Sequence, residues 1–588
     1  MSVEELEEAL AIPFPESGQL ILEDSRRLTG PGLLWEFPGA IADVLVTGFP
    51  LNDVEACWQQ HIQAVLAAVG WSEQKSISRQ YDGGLNLAIS APIDQLYSAI
   101  FVVQAAWYYT ACELLGTEPQ PLQDLSEQII AVMANEARPE LLALQSAASS
   151  HSVDFLSDDE TISIGHGVGS RSWPVDQLPD PDSVEWESLY DLPVAMITGT
   201  NGKSTCVRLA SAVARAAGKV AGVTSTDFVR VGDEILDHGD YSGPGGARML
   251  LRDPRLEFAL LEVARGGILR RGLALQRAQA GLVTNVAADH LGQYGINTVA
   301  ELTEAKFAVF RTLARGAVLV LNADDVGLVT YAYSQSEEVE QRGVRVCWFS
   351  LTPDNPEVVN ARANDGSCGW LEDGQLIFFD GRTATVVSEV AKIPITMNGA
   401  ARYNIQNALG VMCLCIELGL SRAAVRDGMA DFHSDPTDNP GRCNEFRANG
   451  AQIFIDFAHN PHSIAAVSET MKNLPAKRRL LMLGHAGDRS DEDIRGLTAG
   501  AFGLEPDHVV ICEVPDYLRG REEGEISQLI QRECIDQGLS EDQLSFSADP
   551  LAGAHRALQW LEEGDLALLL VFSHRDQVVE LLQGAESS

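Results

Sequence analysis

Short apolar runs separated by longer amphipathic stretches dominate the chain from residue 194 onward. Val194–Thr198 (VAMIT) leads into a glycine-containing turn, and a helical stretch follows from Ser204 to Ala217. Further runs of strand length follow: VAGVTS at 220–225, FALLEVA at 258–264, AGLVTNV at 280–286 and AVLVLNA at 317–323. Buried strands that alternate with helices are typical of a parallel sheet covered by helices on both faces. The pattern therefore predicts an α/β domain built on such a sheet.

The same alternation returns in the last block of the chain, from about residue 443 to residue 588. Its apolar runs read QIFIDFA, RLLMLG, HVVICEV and LALLLVF. This block predicts a second, smaller α/β domain of Rossmann-like type.

The first 160 residues mix helical runs with short apolar segments and predict a small α+β domain. One apolar stretch, Tyr97–Gly116, approaches the length of a membrane span. Gln104, Thr110 and Glu113 interrupt it and no basic cluster flanks it, so a buried helix is the favoured interpretation. The Pro-, Gly- and Asp-rich stretch that follows indicates a hairpin and a linker. The predicted boundaries are an N-terminal domain at 1–160, the hairpin and linker at 161–192, a P-loop-type central domain at 193–440 and the C-terminal domain at 441–588.

Composition narrows the range of partners. The formal net charge is −41 and the pI is near 4.5, so the field around the protein repels nucleic acid and anionic lipid. The same field would attract a cationic substrate, although acidity also serves solubility alone. None of the ten cysteines falls in a CxxC pair, and the first ten residues lack the basic and apolar regions of a signal peptide. We expect a soluble, cytoplasmic protein with neither a nucleic-acid nor a membrane partner.

A phosphate-binding loop is predicted between the first strand and the first helix of the central domain. Two glycines allow a tight turn in which successive backbone N–H groups face phosphate oxygens, and the helix N-terminus adds partial positive charge. Lys203 can reach the terminal phosphates and Ser204 can offer a hydroxyl to Mg²⁺. Two residues separate these glycines, whereas the common pattern has four between them. The loop and its flank comprise Gly199, Thr200, Asn201, Gly202, Lys203, Ser204 and Thr205.

The short form GTNGKST resembles the ATP loop of the Mur ligase family, whose members join an amine to a carboxylate. Further motifs match that family in order: Glu262 in LLEVARGGILRRG, His290 in TNVAADHLG, Lys306 in ELTEAKFAVF, NADD at 322–325, Asn404 and Asn407 in ARYNIQNALG, NPGR at 439–442 and DFAHNPHS at 456–463.

The resemblance implies ATP and Mg²⁺ as cofactors and assigns roles to these positions. Ser204, Glu262 and His290 would hold metal, and Lys306 would hold a second ion as a carbamate. Lys203, His290 and Lys306 would be the catalytic residues. Nucleotide would also be contacted by Asn404, Asn407, Arg442 near the hinge, and Asp456 from the C-terminal domain.

The residues alone leave other interpretations open. Glu262 could pair with Arg265 or Arg270, His290 could cap a strand end, and Lys306 could be a surface lysine. His459 and His462 are interpreted as backbone-bonded loop residues and not as catalytic. The run Arg265, Arg270, Arg271 is either a solvated face or a site for an acidic substrate.

Within that family, the chain is most similar to the Mur-ligase-like half of the cyanophycin synthetases. The similarity rests on SGPGGARMLLRDPRLEFALLEVARGGILRRGL, on GDRSDEDIR at 487–495 and on LRGREEGEI at 518–526. RRLTGPGLLWE at 26–36 resembles their N-terminal domain, and ISIGHGVGSRSW at 162–173 resembles a hairpin that leads into their ATP-grasp domain. Only some twenty residues separate this hairpin from the phosphate-loop strand, so the sequence predicts that the ATP-grasp domain is missing.

The predicted function is an ADP-forming, ATP-dependent amide ligase that activates a carboxylate as an acyl phosphate. The charge and the family both favour a basic amino acid such as Arg as the amine donor. The alternative is a catalytically silent nucleotide-binding partner of a separate ATP-grasp ligase. The resemblance also implies a homo-oligomer, and it leaves the acceptor carboxylate unidentified.

Overall fold

The computed structural model of the protein describes residues 3–586. An antiparallel sheet in the order β1-β2-β4-β3 forms the N-terminal unit together with five helices. Trp58 and Trp107 are fully buried in its hydrophobic core. The elements are α1 Val3–Glu7, β1 Leu20–Leu28, β2 Gly39–Val46, α2 Leu51–Ala68, β3 Ser76–Tyr81, β4 Gly84–Ser90, α3 Leu96–Leu115, α4 Leu122–Glu136 and α5 Pro139–Ser150.

The apolar stretch at 97–116 is a buried helix, as predicted. Helix α3 lies against α2 and β2, and fifteen of its twenty residues are buried. Two of its polar side chains have hydrogen-bond partners: Gln104 donates to Ser25 Oγ on β1 at 2.7 Å, and Thr110 donates to the carbonyl of Ala106 at 2.7 Å. Gly116 ends the helix in the left-handed conformation. Among residues 3–586, no helix combines the length and apolarity that crossing a membrane requires.

A small three-stranded antiparallel sheet joins the N-terminal unit to the central sheet. It consists of β5 Phe155–Ser157, β6 Thr161–Ile164 and β7 Arg171–Pro174. The hairpin of β6 and β7 coincides with the segment that the Gly-rich pattern indicated, and an irregular stretch with two short 3₁₀ turns then reaches the first central strand.

The central domain is built on an eleven-stranded sheet. Seven neighbouring strands, β9-β12-β8-β13-β14-β15-β16, run parallel, and antiparallel strands extend both edges. Hydrophobic clusters fill both faces, as a sheet sandwiched between helices requires. The strands are β8 Val194–Thr198, β9 Ala221–Thr224, β10 Phe228–Val231, β11 Glu234–His238, β12 Phe258–Glu262, β13 Ala278–Val283, β14 Leu313–Asn322, β15 Arg345–Ser350, β16 Ser367–Glu372, β17 Gln375–Asp380 and β18 Ala384–Glu389. The helices are α6 Lys203–Ala216, α7 Pro244–Leu251, α8 Arg265–Arg271, α9 Val299–Phe307, α10 Val326–Ser334, α11 Ser336–Arg342, α12 Pro356–Ala363, α13 Arg402–Glu417 and α14 Arg422–Ala430.

The C-terminal domain has a six-stranded sheet in the order β19-β20-β24-β21-β22-β23, parallel except at β19. Its elements are β19 Asn444–Ala448, β20 Ala451–Asp456, α15 Pro461–Lys472, β21 Arg479–Leu483, α16 Asp491–Ala501, β22 His508–Cys512, α17 Glu525–Asp536, β23 Leu544–Ser547, α18 Pro550–Trp560, β24 Leu566–Leu570 and α19 Arg575–Glu586. The predicted α/β class, with a P-loop-type sheet, a Rossmann-like C-terminal sheet and an α+β N-terminal unit, is confirmed. Individual bounds differ by a few residues, because the apolar runs continue into the loops that follow β12 and β13.

Candidate active site

The loop between β8 and α6 has the backbone geometry of a phosphate cradle. Gly199 and Gly202 have φ of +145° and +88°, which other residues rarely adopt. A Cβ at Gly199 would lie 1.9 Å from Thr284 Oγ1, and one at Gly202 would lie 2.3 Å from Asn407 Oδ1. Both positions therefore require glycine for space as well as for conformation.

The segment that follows β13 holds the loop in place through hydrogen bonds. The amide of Thr200 donates to the carbonyl of Asn285 at 2.8 Å, and the amide of Asn201 donates to Asn285 Oδ1 at 3.1 Å. Lys203, the first residue of α6, folds back so that Nζ donates to the carbonyl of Thr200 at 2.9 Å. The lysine charge thus lies over the cradle, where phosphate oxygens would be bound.

Glu262 ends β12, the strand beside β8, and its side chain is buried behind the loop. It is 2% exposed, and within residues 3–586 neither carboxylate oxygen has a hydrogen-bond partner. Burial raises the pKa of Glu262, while the charge of Lys203 opposes that shift. Arg265 instead bonds the His290 carbonyl and Gln293, so the alternative of a Glu262–Arg265 ion pair does not hold.

Lys306 is buried on α9, so it is not a surface lysine. Its Nζ donates to the carbonyl of Gly199 at 2.8 Å. Burial and the neighbouring charge of Lys203 hold the pKa of Lys306 well below its usual value. The lowered pKa raises the neutral fraction of the amine, which is the form that reacts as a nucleophile.

Asp289, His290 and His459 meet at the front of the cleft, with ligand atoms within 4.8 Å of one another. The two His Nε2 atoms each lie 3.9 Å from a carboxylate oxygen of Asp289. His290 has φ of +49°, and Arg265 donates to its carbonyl oxygen at 2.6 Å. Burial lowers the pKa of both histidines, that of His459 to about 4, so both rings are neutral at pH 7 and able to bind metal.

The remaining predicted residues lie on α13 of the central domain, near the hinge and on the C-terminal domain. Asn407 donates to Asn404 Oδ1 at 3.0 Å and lies against Gly202. The Arg442 guanidinium lies 5.1 Å from the centre of the Phe457 ring. Asp456 accepts two backbone hydrogen bonds, at 2.8 and 2.7 Å, and burial raises its pKa despite the nearby charge of Arg442.

These residues line one cleft of about 610 Å³ between the central and C-terminal domains, a size typical of small-molecule sites. The predicted residues that line it are Thr200, Asn201, Gly202, Lys203, Ser204, Thr205, Glu262, His290, Lys306, Asn404, Asn407, Arg442 and Asp456. Gly199 contributes through its carbonyl oxygen behind the loop.

Two groups of residues that the fold brings to this cleft were not predicted from the sequence motifs. Asp289 precedes His290 directly, and His459 lies in the DFAHNPHS motif but was interpreted as a loop residue. Asp488 and Arg519 form an ion pair on the C-terminal wall, within GDRSDEDIR and LRGREEGEI. The adjacent Asp-His pair was a usable signal for the first group, whereas the pairing of Asp488 with Arg519 depends on the fold.

Comparison with known proteins identifies two family domains in the chain. Residues 197–415 match the Mur ligase middle domain, and residues 441–571 match the Mur ligase, glutamate ligase domain. A cyanophycin synthetase of Crocosphaera subtropica is 36% identical over 386 residues, which cover 65% of this chain and 43% of that protein. The chain thus spans less than half the length of the cyanophycin synthetases that it matches.

More distant similarities are also found. A UDP-N-acetylmuramoyl-L-alanyl-D-glutamate–2,6-diaminopimelate ligase of Geobacter metallireducens is 27% identical over 326 residues, covering 53% of this chain and 58% of that protein. Among solved structures, E. coli FolC in complex with ADP matches with a TM-score of 0.49 at 19% identity, covering 67% of this chain and 90% of that one.

Proposed function

This chain belongs to the Mur ligase family, and from that premise we propose that it is an ADP-forming ligase that joins an amino-acid amine to a carboxylate. The observation that carries the proposal is the buried, unpartnered carboxylate of Glu262 beside the phosphate loop. A buried carboxylate without a partner costs free energy, so a protein that retains one has a use for its charge.

The residues present fit ATP and Mg²⁺. At both loop glycines a Cβ would collide with Thr284 or Asn407, so the tight turn that presents backbone N–H groups to a phosphate requires glycine there. Ser204 and Glu262 offer the hard oxygen ligands that Mg²⁺ prefers. Asp289, His290 and His459 would hold a second ion, and Lys306 would join them as a carbamate. When bound, Mg²⁺ supplies positive charge that offsets the charge developing on the transferred phosphoryl group.

The proposed reaction has two steps. An oxygen of the acceptor carboxylate attacks the γ-phosphorus of ATP, the bond from that phosphorus to the β-bridging oxygen breaks, and ADP leaves. The amine nitrogen then attacks the carbonyl carbon of the acyl phosphate, loses a proton, and inorganic phosphate leaves as the amide forms. Lys203 contributes by holding positive charge at the phosphate oxygens throughout the first step.

Other residues of the chain position the reactants and exclude water. Asn404 and Asn407 support the loop from α13, and Arg442 and Asp456 bring the hinge and the C-terminal domain to the nucleotide. A closed cleft protects the acyl phosphate from hydrolysis. The acidic chain and its subfamily favour a basic amino acid such as Arg as the amine donor.

The test is release of ADP that depends on both an amine and an acceptor. The purified chain is screened with the twenty amino acids and simple dipeptides in the presence of ATP and Mg²⁺. We expect at least one pair to stimulate ADP release, and we expect Lys203→Ala to abolish it while the exposed control Lys219→Ala retains it. Full ligation by Lys203→Ala would contradict the phosphate assignment. Tight ADP binding without stimulation by any amine would instead favour the silent-partner alternative.

A further inference from the structure

Two neighbouring helices of the N-terminal unit bring three metal-ligand side chains together. Cys57 and His61 are four residues apart on α2, so they lie on one face of that helix, one turn apart. Glu113 lies in the last turn of α3, which packs against α2. The ligand atoms of the three side chains all lie within 4.8 Å of one another. The fold thus groups a thiol, an imidazole and a carboxylate that are far apart in the sequence.

This group is separate from the proposed catalytic site. None of its members lines the nucleotide cleft, and none lines the cleft of about 580 Å³ between the N-terminal unit and the central domain. All ten cysteines are buried, yet among residues 3–586 Cys57 is the only one that shares a group with two other ligand-type side chains. Packing as a small core residue accounts for the other nine, but it does not explain why Cys57 faces an imidazole and a carboxylate.

The surroundings of Cys57 oppose ionisation of its thiol unless a cation is bound. Burial, together with the negative charge of Glu113, raises the pKa of Cys57 to about 11. The thiolate, not the thiol, is the form that binds metal. A divalent cation at this position would take the place of the thiol proton, which would pass to solvent, and its two positive charges would balance those of the thiolate and the carboxylate.

The separations between the ligand atoms suit a small tetrahedral ion. Zinc–ligand distances of about 2.0–2.3 Å place neighbouring ligand atoms of a tetrahedron roughly 3.3–3.7 Å apart. His61 Nε2 and Glu113 Oε2 are 2.9 Å apart, and no pair of ligand atoms in the group is more than 4.8 Å apart. The Glu113 side chain is 59% exposed, so a small rotation of its carboxylate brings the three atoms to the separations that zinc requires.

The imidazole ring of His61 is oriented by packing against α3. It stacks on the ring of Tyr109, with 5.9 Å between the ring centres and 27° between the ring planes. A ligand whose orientation is fixed by its neighbours loses less conformational freedom when it binds a metal ion. Because the His61 and Glu113 side chains are both partly exposed, water can reach the ion and complete its coordination as a fourth ligand.

We propose that Cys57, His61 and Glu113 bind a Zn²⁺ ion that joins α2 to α3. Zinc accepts all three ligand types, whereas Mg²⁺ and Ca²⁺ take oxygen ligands, so the thiolate selects against the latter two. The ion would stabilise the N-terminal unit, because its ligands come from two helices that are brought together only in the folded state. This site is independent of the ligase function proposed above.

The experiment titrates the whole, metal-free chain with Co²⁺ and then displaces the Co²⁺ with Zn²⁺. Cobalt bound by a thiolate gives a charge-transfer absorption band in the near ultraviolet. The group of Asp289, His290 and His459 in the nucleotide cleft contains no thiol, so this band reports the proposed site alone. The variants are Cys57→Ser, His61→Gln and Glu113→Gln. The matched controls are the buried Cys534→Ser and the exposed His555→Gln and Glu118→Gln.

We expect the wild-type chain to show the thiolate band and to lose it when Zn²⁺ is added. The band should be missing from Cys57→Ser, and zinc affinity should fall by about tenfold or more in His61→Gln and Glu113→Gln. The three controls should bind as the wild type does. Zinc should raise the Tm of the wild type but not that of Cys57→Ser. ADP affinity should be unchanged in all variants, because none of the three residues lines the nucleotide cleft.

A wild-type chain without the thiolate band would overturn the site and leave a His61–Glu113 ion pair beside a buried thiol. A band that persists in Cys57→Ser would also overturn it, because the thiolate would then belong to another cysteine. If Cys57→Ser fails to fold, as judged by circular dichroism, the other two variants decide, and unchanged zinc affinity in both contradicts the proposal. Zinc binding that depends on these residues would support the site whether or not the chain shows amine-stimulated ADP release.

Discussion

Glu262 is the residue at which stability and the proposed function oppose each other. Its carboxylate is buried with no hydrogen-bond partner among residues 3–586, and burial raises its pKa above the usual 4.5. A group with a raised folded-state pKa stabilises the fold below its unfolded pKa and loses that contribution as pH rises through its folded pKa. Ionisation of Glu262 in the nucleotide-free protein is therefore unfavourable, and a bound cation would offset that cost.

The first prediction is that Glu262→Gln stabilises the nucleotide-free protein while it disables the enzyme. At pH 7 the free energy of unfolding should rise by about 1–3 kcal/mol, because the substitution removes the cost of burying a titrating carboxyl group that has no partner. The gain should vanish below about pH 4, where the carboxyl is protonated in both states. Urea unfolding across pH measures it, with exposed Glu523→Gln as control. Unchanged stability together with an unchanged Mg²⁺ requirement for ADP release would show that Glu262 is structural.

The second prediction concerns carbamylation of Lys306. Its buried amine, which has a lowered pKa, lies 2.8 Å from the Gly199 carbonyl oxygen. In its neutral form this amine can add to CO₂ and lose a proton to give an anionic carbamate. With ¹³C-bicarbonate, the NMR spectrum should contain a carbamate signal that is missing from Lys306→Ala and present in Lys219→Ala. Turnover should fall about 10–100-fold in Lys306→Ala, as for lost support of a metal centre. A signal that persists in Lys306→Ala would assign the carbamate elsewhere.

At the residue scale, the sequence predicts what lies within one contiguous motif and misses what the fold assembles. The loop 199–205 was recognisable because strand, glycines and helix follow one another directly. The grouping of Asp289 with His459 was not, because the two are 170 positions apart and meet only where the C-terminal domain closes on a strained turn at His290. The sequence did not indicate that Lys306 is buried either, because apolar and polar residues are not clearly separated onto opposite faces of helix α9.

At the element scale, strands that are buried on both faces of a sheet were easier to predict than strands that carry charged residues on one face. Central strands such as β8 and β12 are buried on both faces and read as continuous apolar runs, so their existence was predicted. Strand β1 of the N-terminal sheet reads LILEDSRRL and packs against α8. Its Arg26 forms an ion pair with Asp43, and its Arg27 forms one with Asp159. Those partners come from other elements, and the charged pattern alone therefore did not indicate a strand.

Two sets of contacts join the C-terminal domain to the central domain at the nucleotide cleft. Asn460, which caps α15, donates to Asn201 Oδ1 in the phosphate loop at 2.9 Å. Arg575, the first residue of α19, pairs with Asp227 at 2.5 Å, and Asp227 also pairs with the buried Arg208. Since Arg208 belongs to α6, the helix that follows the 199–205 loop, both contacts link this loop and its helix to the last domain.

The third prediction is that Arg575→Ala loosens domain closure without unfolding the chain. Asp227 keeps Arg208 as a partner, so the buried carboxylate is not left unpaired. Small-angle scattering should give a larger radius of gyration for the nucleotide-free variant than for the wild type. An ATP analogue with acceptor and amine should compact both proteins, and the KM for ATP should rise about tenfold in the variant. If neither protein compacts, closure over the acyl phosphate does not occur.

At the scale of the whole molecule, the number of phosphate loops bears on how many different carboxylates this chain could activate. One phosphate loop of this type lies within residues 3–586, and the three-stranded sheet at 155–174 connects to β8 through about twenty residues. That connection is too short to hold a further folded domain between the three-stranded sheet and β8. Two acyl activations on carboxylates of different geometry would each need a pocket of its own, because one pocket positions only one of them well.

The last prediction is therefore that the purified chain adds a single amine to a preformed acceptor and does not polymerise Asp and Arg. A polymer with an aspartate backbone and Arg on its side chains requires activation of the main-chain carboxylate and, separately, of the side-chain carboxylate. The proposed nucleotide cleft would provide one such activation. The chain is incubated with Asp, Arg, ATP and a short acidic primer, and products are analysed by mass spectrometry. A product heavier than the primer by one amino acid, with one ADP released per bond, is the expected result, and Lys203→Ala should give none. Long Asp–Arg polymer from this chain alone would refute the single-site argument, because it would require a second activating site in the same protein.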